Sequence, residues 1–309
     1  GLTSFWNGAA VIGGLLILLG FAAFSDGKLD YGIMAGVTVF FSVLQSRIFV
    51  RGSVMSPAIQ WGFLAEEKSL SGVIWYLVQI SGFFVVGLAV LVFWLRRRER
   101  AMLVSFLFPL FFAFLVSLTP DINVNHKYIM ISWAFLTIFW GGVLAKCWRG
   151  KWKKKLLALI LTVCLTATGL YDFVIILRNN GPGRRVAVNM ESELTSWLSE
   201  KLTSEDLILT PEYSMSEITM SGVMMYCGWP YYAWSAGYDT NYRAGIATEM
   251  YTTGDKERLK ALAQQEGITY ILYQEGMTFE EKNCREDTIA AVYPLVYQSE
   301  DGRIRIYET

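Results

Sequence analysis

The densest group of side chains that could do chemistry lies in the polar segment Thr119–Lys127, which contains the only histidine of the chain. One carboxylate, two amides and two basic groups follow one another there, at Asp121, Asn123, Asn125, His126 and Lys127. Lysine offers a compact positive charge to a phosphate, and a carboxylate could hold a divalent cation or position a hydroxyl group. One interpretation of the segment is a phosphate-binding site. The other is a solvated interfacial loop with a snorkelling lysine.

Two arginines, Arg47 and Arg51, lie at the end of a long apolar run. The planar guanidinium group suits a phosphate, which it can bind through two hydrogen bonds. We expect these arginines to bind the phosphate of an anionic lipid or to pair with Glu66 and Glu67. Anchoring at the membrane interface is the alternative interpretation.

A third candidate region is Tyr226–Arg243, which is rich in aromatic residues, glycine and proline. Aromatic rings with a few polar neighbours suit a carbohydrate, and the possible sugar or acceptor contacts are Trp229, Tyr238, Asp239 and Arg243. The same composition suits a lid that packs on membrane spans, which is the interpretation we favour. Asp239 and Arg243 are four residues apart and could form an ion pair on a helix.

Four cysteines are present, and two of them, Cys227 and Cys284, could form a disulfide in an oxidising compartment. Two thiols are the simpler expectation. The chain has no CxxC pair, GxGxxG motif or P-loop, so nothing indicates a zinc site or nucleotide binding, and no nucleic-acid partner is expected.

The elements that must position these residues differ between the two parts of the chain. The sequence has 309 residues, of which 53% are hydrophobic and only 17% charged. Six apolar runs are long enough to cross the roughly 30 Å hydrocarbon core of a bilayer. They predict six transmembrane helices in a domain over residues 1–177, at about 5–24, 29–50, 70–95, 101–118, 128–145 and 156–177.

Basic loops set the predicted orientation of these spans. Arg96–Arg100 and Lys146–Lys155 are the most basic connections, so the positive-inside rule places them in the cytoplasm. Residues 51–69, residues 119–127 and everything after the sixth span are then extracytoplasmic. We expect a multi-pass protein of the plasma or inner membrane with its C-terminal domain outside.

The second part has a different composition and a different sign of charge. Residues 178–309 carry 12 Lys and Arg against 20 Asp and Glu, whereas residues 1–177 carry 15 against 7. Residues 178–190 contain glycine and proline and predict a linker. Predicted helices at Val188–Leu202, Asp239–Tyr251 and Asp255–Glu266 alternate with predicted strands, such as the β-branched and aromatic run Ile268–Tyr273. This alternation predicts a small α/β domain over residues 191–309.

This organisation resembles the C-terminal half of bacterial-like GT-C type glycosyltransferases, which are polytopic membrane enzymes that use polyprenyl-phosphate-linked sugars. The resemblance rests on Asp121-x-Asn123-x-Asn125-His126-Lys127, on Gly237–Arg243, and on Ile268–Tyr273 followed by Glu275. It implies transfer of a sugar from a polyprenyl-phosphate donor to a glycan or protein acceptor on the outer face of the membrane. Lys127, His126 and Arg47 would stabilise the leaving phosphate.

The sequence departs from the family pattern at its acidic catalytic motif, for which no matching position exists. The chain opens with Gly1, and we expect an N-terminal half with an odd number of spans to precede it. A cleaved signal peptide is the alternative. One competing hypothesis is a non-catalytic membrane protein whose exterior domain binds a protein or glycan. Another is an O-antigen ligase or polymerase, which would carry its large loop between spans.

Overall fold

A computed structural model describes residues 3, 6–24, 26–49, 57–181, 183, 188–211, 217–279 and 282–309. The chain divides into two compact units, Gly1–Arg185 and Val186–Thr309. The division falls inside the segment predicted as a linker. We call them the helical unit and the α/β unit.

The helical unit consists of helices and one very small sheet. Its elements are α1 Gly8–Phe24, α2 Lys28–Phe49, β1 Ala58–Ile59, α3 Leu70–Ser81, α4 Phe83–Trp94, α5 Arg97–Phe106, α6 Phe108–Leu115, β2 Val116–Ser117, α7 Ile122–Trp148 and α8 Trp152–Asn179.

Among the described residues, three helices are long and apolar enough to cross a membrane: α2, α7 and α8. A fourth crossing results if α3 and α4 count as one bent span. Large apolar side chains cover the exposed surfaces of α2 and α8, for example Phe40 and Leu170, each 63% exposed. A contiguous apolar surface of this kind marks contact with a membrane or another protein, which is consistent with a membrane protein.

The expectation of six continuous spans is therefore wrong for this structure. The third predicted span, 70–95, bends by 108° between α3 and α4. Gly82 lies at the bend with φ of +52°, a backbone conformation that glycine adopts readily. The first helix, α1, has 17 residues and is about 26 Å long, slightly short of the hydrocarbon core.

The fourth predicted span, 101–118, is interrupted in the same way. It divides into α5 and α6 at Leu107, and its end forms β2 instead of a helix. Pro109 lies in the first turn of α6, where its missing N–H is tolerated, but its ring would clash with the carbonyl four residues earlier in a continuous helix.

Helix α7 forms the centre of the helical unit. It packs against α1, α5, α6 and α8, and buries Tyr128, Leu136 and Trp140. Glycines permit close contact between elements: a Cβ on Gly20 of α1 would lie 2.7 Å from the Ser105 Cα on α5. Small residues of this kind let membrane helices approach closely.

The α/β unit has a five-stranded sheet with the order β4-β3-β5-β9-β8, in which β4, β3 and β5 are parallel and β9 is antiparallel to both of its neighbours, β5 and β8. Its elements are α9 Glu193–Lys201, β3 Leu207–Leu209, α10 Glu217–Met220, β4 Met224–Met225, α11 Pro230–Ser235, α12 Asn241–Thr252, α13 Lys256–Glu266, β5 Tyr270–Gln274, β6 Thr278–Phe279, β7 Lys282–Asn283, α14 Glu286–Ala290, β8 Leu295–Gln298 and β9 Ile304–Glu308.

Helix α12 is joined to the sheet by a buried tyrosine. The Tyr251 hydroxyl lies 3.1 Å from the Leu209 carbonyl of β3 and 2.6 Å from the Leu272 carbonyl of β5. Gly267 ends α13 in the left-handed conformation, with φ of +68°.

No disulfide joins Cys227 and Cys284, and each carries a thiol. Burial, Glu286 and Asp287 raise the pKa of the Cys284 thiol to about 12.

Candidate functional site

Two loops that are far apart in sequence pair with each other in the helical unit. Strands β1 and β2 are antiparallel, with Ala58 opposite Ser117. The Gln60 N–H donates to the Leu115 carbonyl at 2.8 Å, which extends the pairing. Residues 57–69 and 116–127 therefore lie at one end of the unit, which we call the loop end.

A cavity of about 1160 Å³ adjoins the loop end. Glu66 and Glu67 line it together with Ser71, Trp75 and Tyr76 of α3, and we call it the carboxylate groove. Both carboxylates are exposed, and Trp75 is 63% exposed. The groove therefore combines acidic groups with an aromatic ring, a combination suited to a sugar.

The turn into α3 fixes the Glu67 carboxylate next to the helix. The Ser69 hydroxyl donates to Glu67 Oε1 at 2.9 Å and accepts from the Gly72 N–H at 3.0 Å, which caps α3. A Cβ on Gly72 would overlap the Glu67 carbonyl oxygen, so glycine is required at this position.

The histidine of the polar segment is next to this groove. His126 Nε2 forms a hydrogen bond with the hydroxyl of Tyr76, and the two rings are nearly parallel with centroids 6.2 Å apart. Because Tyr76 lines the groove, this hydrogen bond places His126 beside the carboxylate groove. Lys127, the next residue, is exposed.

Other residues of the polar segment have structural contacts. The Asp121 carboxylate is buried and caps α7 by accepting from the Asn123 N–H at 2.9 Å. Asn125 is fully buried and donates from Nδ2 to the carbonyls of Ala113 and Val116. Asp121 and Asn125 therefore hold the start of α7 in place. The described residues contain no group of three His, Cys, Asp or Glu side chains that could hold a metal ion.

The structure describes only the first of the two arginines that were predicted to bind phosphate, Arg47 and Arg51. Arg47 is exposed near the end of α2, and within the described ranges no ion pair joins it to Glu66 or Glu67. Arg51 lies outside the described residues.

In the α/β unit, Arg243 packs on Tyr226 instead of pairing with Asp239. Its guanidinium carbon is 5.0 Å from the Tyr226 ring centroid, and Nη1 donates to the Tyr226 carbonyl at 3.0 Å. Asp239 precedes α12 and accepts from the Asn241 N–H at 2.9 Å. The expected ion pair does not form, because the helix begins two residues later than predicted and Asp239 is not on it.

Tyrosine hydroxyls hold the carboxylate of Glu266 next to this arginine. Tyr242 donates to Oε1 at 2.7 Å and Tyr226 donates to Oε2 at 2.8 Å. Both hydrogen bonds lower the pKa of Glu266, and the bond from Tyr242 has the larger effect on it. Burial and the bond to Glu266 raise the pKa of Tyr226.

Exposed aromatic rings surround the short helix α11. Tyr232 is 61% exposed, and Tyr231, Trp234 and Tyr238 are also exposed. Trp229 lies 6.3 Å from Tyr232 between ring centroids. Of the predicted sugar contacts, Trp229 and Tyr238 thus belong to this aromatic surface, while the Arg243 guanidinium stacks on Tyr226.

Sequence reasoning did not identify two features. It considered Glu66 and Glu67 only as possible ion-pair partners of Arg47 and Arg51 and gave them no ligand-binding role. It also missed a cavity of about 730 Å³ beside α12, which Pro211, Thr248, Glu249, Thr252 and Lys282 help to line. The polar face of α12 was the available signal for this cavity.

Comparison with known proteins does not extend these observations. No protein-family model matches the chain, and no curated protein matches it.

Proposed function

We propose that the protein is an integral membrane glycosyltransferase, or the C-terminal portion of one, that uses a polyprenyl-phosphate-linked sugar. The carboxylate groove carries the proposal: Glu66 and Glu67 lie in one cavity with Trp75 and with Tyr76, which is hydrogen-bonded to His126. Acidic, aromatic and imidazole groups are thus adjacent at an end of an apolar helical unit, where a lipid-linked sugar would arrive.

The chemistry assigns a role to each type of group. A carboxylate, Glu66 or Glu67, takes the proton from the acceptor hydroxyl. The hydroxyl oxygen attacks the anomeric carbon, and the bond between that carbon and the phosphate oxygen breaks. The electron pair leaves with the polyprenyl phosphate, whose charge Lys127 and His126 stabilise. The acceptor is a glycan or a protein.

Binding of polyprenyl phosphate tests this assignment directly. The purified full-length protein, in lipid nanodiscs, is titrated with polyprenyl phosphate while tryptophan fluorescence is recorded, since Trp75 lines the groove. We expect Lys127→Glu to weaken binding by about tenfold or more, because a positive charge near the phosphate becomes negative. Lys146→Glu, near the other end of α7, is the matched control and should bind as the unaltered protein does.

Transfer activity tests the carboxylates separately. Glu66→Gln or Glu67→Gln should reduce sugar transfer by the full-length protein by about 100-fold or more, with little effect on binding of polyprenyl phosphate. Unchanged transfer in both variants and in the double variant would show that neither carboxylate is the base.

A non-catalytic membrane protein is the second candidate, and the aromatic surface around α11 favours it. Tyr231, Tyr232 and Trp234 are exposed rings of the kind that bind glycans or protein partners. Under this hypothesis, Tyr232→Ala together with Trp234→Ala abolishes binding of the partner, whereas Glu66→Gln and Lys127→Glu have no effect on it.

A further inference from the structure

A separate group of basic side chains surrounds a cavity between the end of α1 and the start of α5. The cavity has a volume of about 760 Å³, and Phe24, Asp26, Arg97, Arg98 and Arg100 are among the residues that line it. None of these residues belongs to the carboxylate groove.

Positive charge in this cavity is not neutralised by neighbouring carboxylates. All three arginines are exposed, and no ion pair within the described residues joins them to an acidic group. Glu99, on the same turn, accepts from the Arg96 N–H at 2.8 Å and so caps the helix. Asp26 is the one carboxylate among the lining residues, so three positive charges face one negative charge.

Close packing of α1 on α5 holds the two sides of the cavity in place. At Gly20 the helices nearly touch, since a Cβ there would lie 2.7 Å from the Ser105 Cα. One turn further along α1, Phe24 and Ala23 form an apolar wall, and Phe24 is 53% exposed. The cavity thus has a cationic side and an apolar side on adjacent helices.

We propose that this cavity binds the phosphate headgroup of an anionic phospholipid. Arginines bind phosphate through paired hydrogen bonds, and basic pockets between membrane helices on the cytoplasmic side bind such headgroups. The apolar wall indicates a lipid instead of a soluble phosphate, because α1 contains only apolar residues and glycine from Gly8 to Phe24 and offers a surface for an acyl chain. This proposal does not depend on the proposed glycosyl transfer.

Native mass spectrometry of the full-length protein in detergent tests the proposal, with phosphatidylglycerol, phosphatidylcholine and inorganic phosphate as probes. We expect phosphatidylglycerol to bind more tightly than phosphatidylcholine. The combined variant Arg97→Gln, Arg98→Gln, Arg100→Gln should lose at least about tenfold in affinity for phosphatidylglycerol. The matched control, Lys153→Gln, Lys154→Gln, Lys155→Gln, removes equal charge outside the cavity and should retain the affinity.

Asp26→Asn provides a test whose expected result, a gain in affinity, cannot arise from loss of folding. Removing the one opposing carboxylate should increase the affinity for phosphatidylglycerol severalfold. An unchanged or lower affinity in Asp26→Asn overturns the proposal, and so does an equal loss in the arginine and lysine variants. Equal binding of phosphatidylcholine, or binding of inorganic phosphate as tight as that of the lipid, overturns the assignment to an anionic headgroup.

Discussion

Individual polar residues at the loop end of the helical unit have two kinds of role. Asp121 and Asn125 are buried and bind backbone groups, so they determine where α7 begins. Glu66, Glu67 and Lys127 are exposed and available to a ligand. The same short segment, residues 119–127, therefore contains both structural and candidate binding residues.

Asn125→Ala should destabilise the protein by about 1–3 kcal/mol, because it leaves the buried carbonyl of Ala113 and the half-buried carbonyl of Val116 without its amide donor. Thermal unfolding in detergent measures the effect. Lys146→Ala, at an exposed residue near the other end of α7, is the control and should change stability by less than about 0.5 kcal/mol. Equal effects of the two substitutions would contradict the structural role of Asn125.

The hydrogen bonds to Glu266 predict a dependence of stability on pH. Because the pKa of Glu266 is lowered in the folded protein, its stabilising contribution is present above the unfolded pKa of about 4.3 and is lost as the pH falls through the folded pKa. Unfolding of the full-length protein between pH 6 and pH 3 should show a smaller loss of stability in Glu266→Gln than in the unaltered protein. Identical profiles would refute the assignment.

At the scale of elements, the candidate groove lies along the loop before α3 and α3 itself, which ends at a bend. The bend at Gly82 separates α3 from α4, and Pro109 begins a new helix after α5. Pairing of β1 with β2 then joins the loop before α3 to the end of α6. Glu66 and Glu67 lie in the loop directly before α3, and the pairing of β1 with β2 attaches the start of that loop to the end of α6.

Gly72→Ala should disrupt the turn into α3, because the added Cβ would overlap the Glu67 carbonyl oxygen. We expect a loss of stability of about 1–3 kcal/mol and weaker polyprenyl phosphate binding, both measured on the full-length protein. Gly141→Ala on α7 has open space around its Cβ and should be neutral or slightly stabilising. A stable Gly72→Ala protein with normal binding would rule out this requirement for glycine.

For the whole molecule, the two units have opposite charge and different surroundings. Residues 1–177 carry an excess of basic groups and residues 178–309 an excess of acidic groups. Apolar side chains cover α2 and α8, as lipid contact requires, whereas the α/β unit has ion pairs on its surface, such as Arg258–Glu249 at 2.6 Å.

Topology is tested on the whole molecule with a membrane-impermeant thiol reagent, after the four native cysteines are replaced by serine. The prediction places Lys68 outside and Lys154 in the cytoplasm. In intact cells the reagent should label Lys68→Cys, and it should label Lys154→Cys only after the membrane is permeabilised. The reverse pattern would show that the orientation is inverted.

The sequence by itself determined what depends on local pattern and composition. Apolar runs predicted α2, α7 and α8, and β-branched and aromatic residues predicted the strand at Ile268–Tyr273, which is β5 from Tyr270 to Gln274. The helix predicted over Asp255–Glu266 is α13, which ends at Glu266 as predicted. These features follow from interactions within a few residues, so a single sequence is sufficient to predict them.

Only the tertiary structure decided which distant residues meet. Hydropathy did not predict the bend at Gly82, since composition averaged over a window does not register one backbone angle. The contact between Tyr76 and His126 depends on how α3 packs against α7, and Arg243 stacks on Tyr226 because α12 begins after Asp239. Such contacts join positions that no local pattern relates. The carboxylate groove itself is lined by sequence neighbours between Leu64 and Gln79, and its contact with His126 is the part that depends on packing.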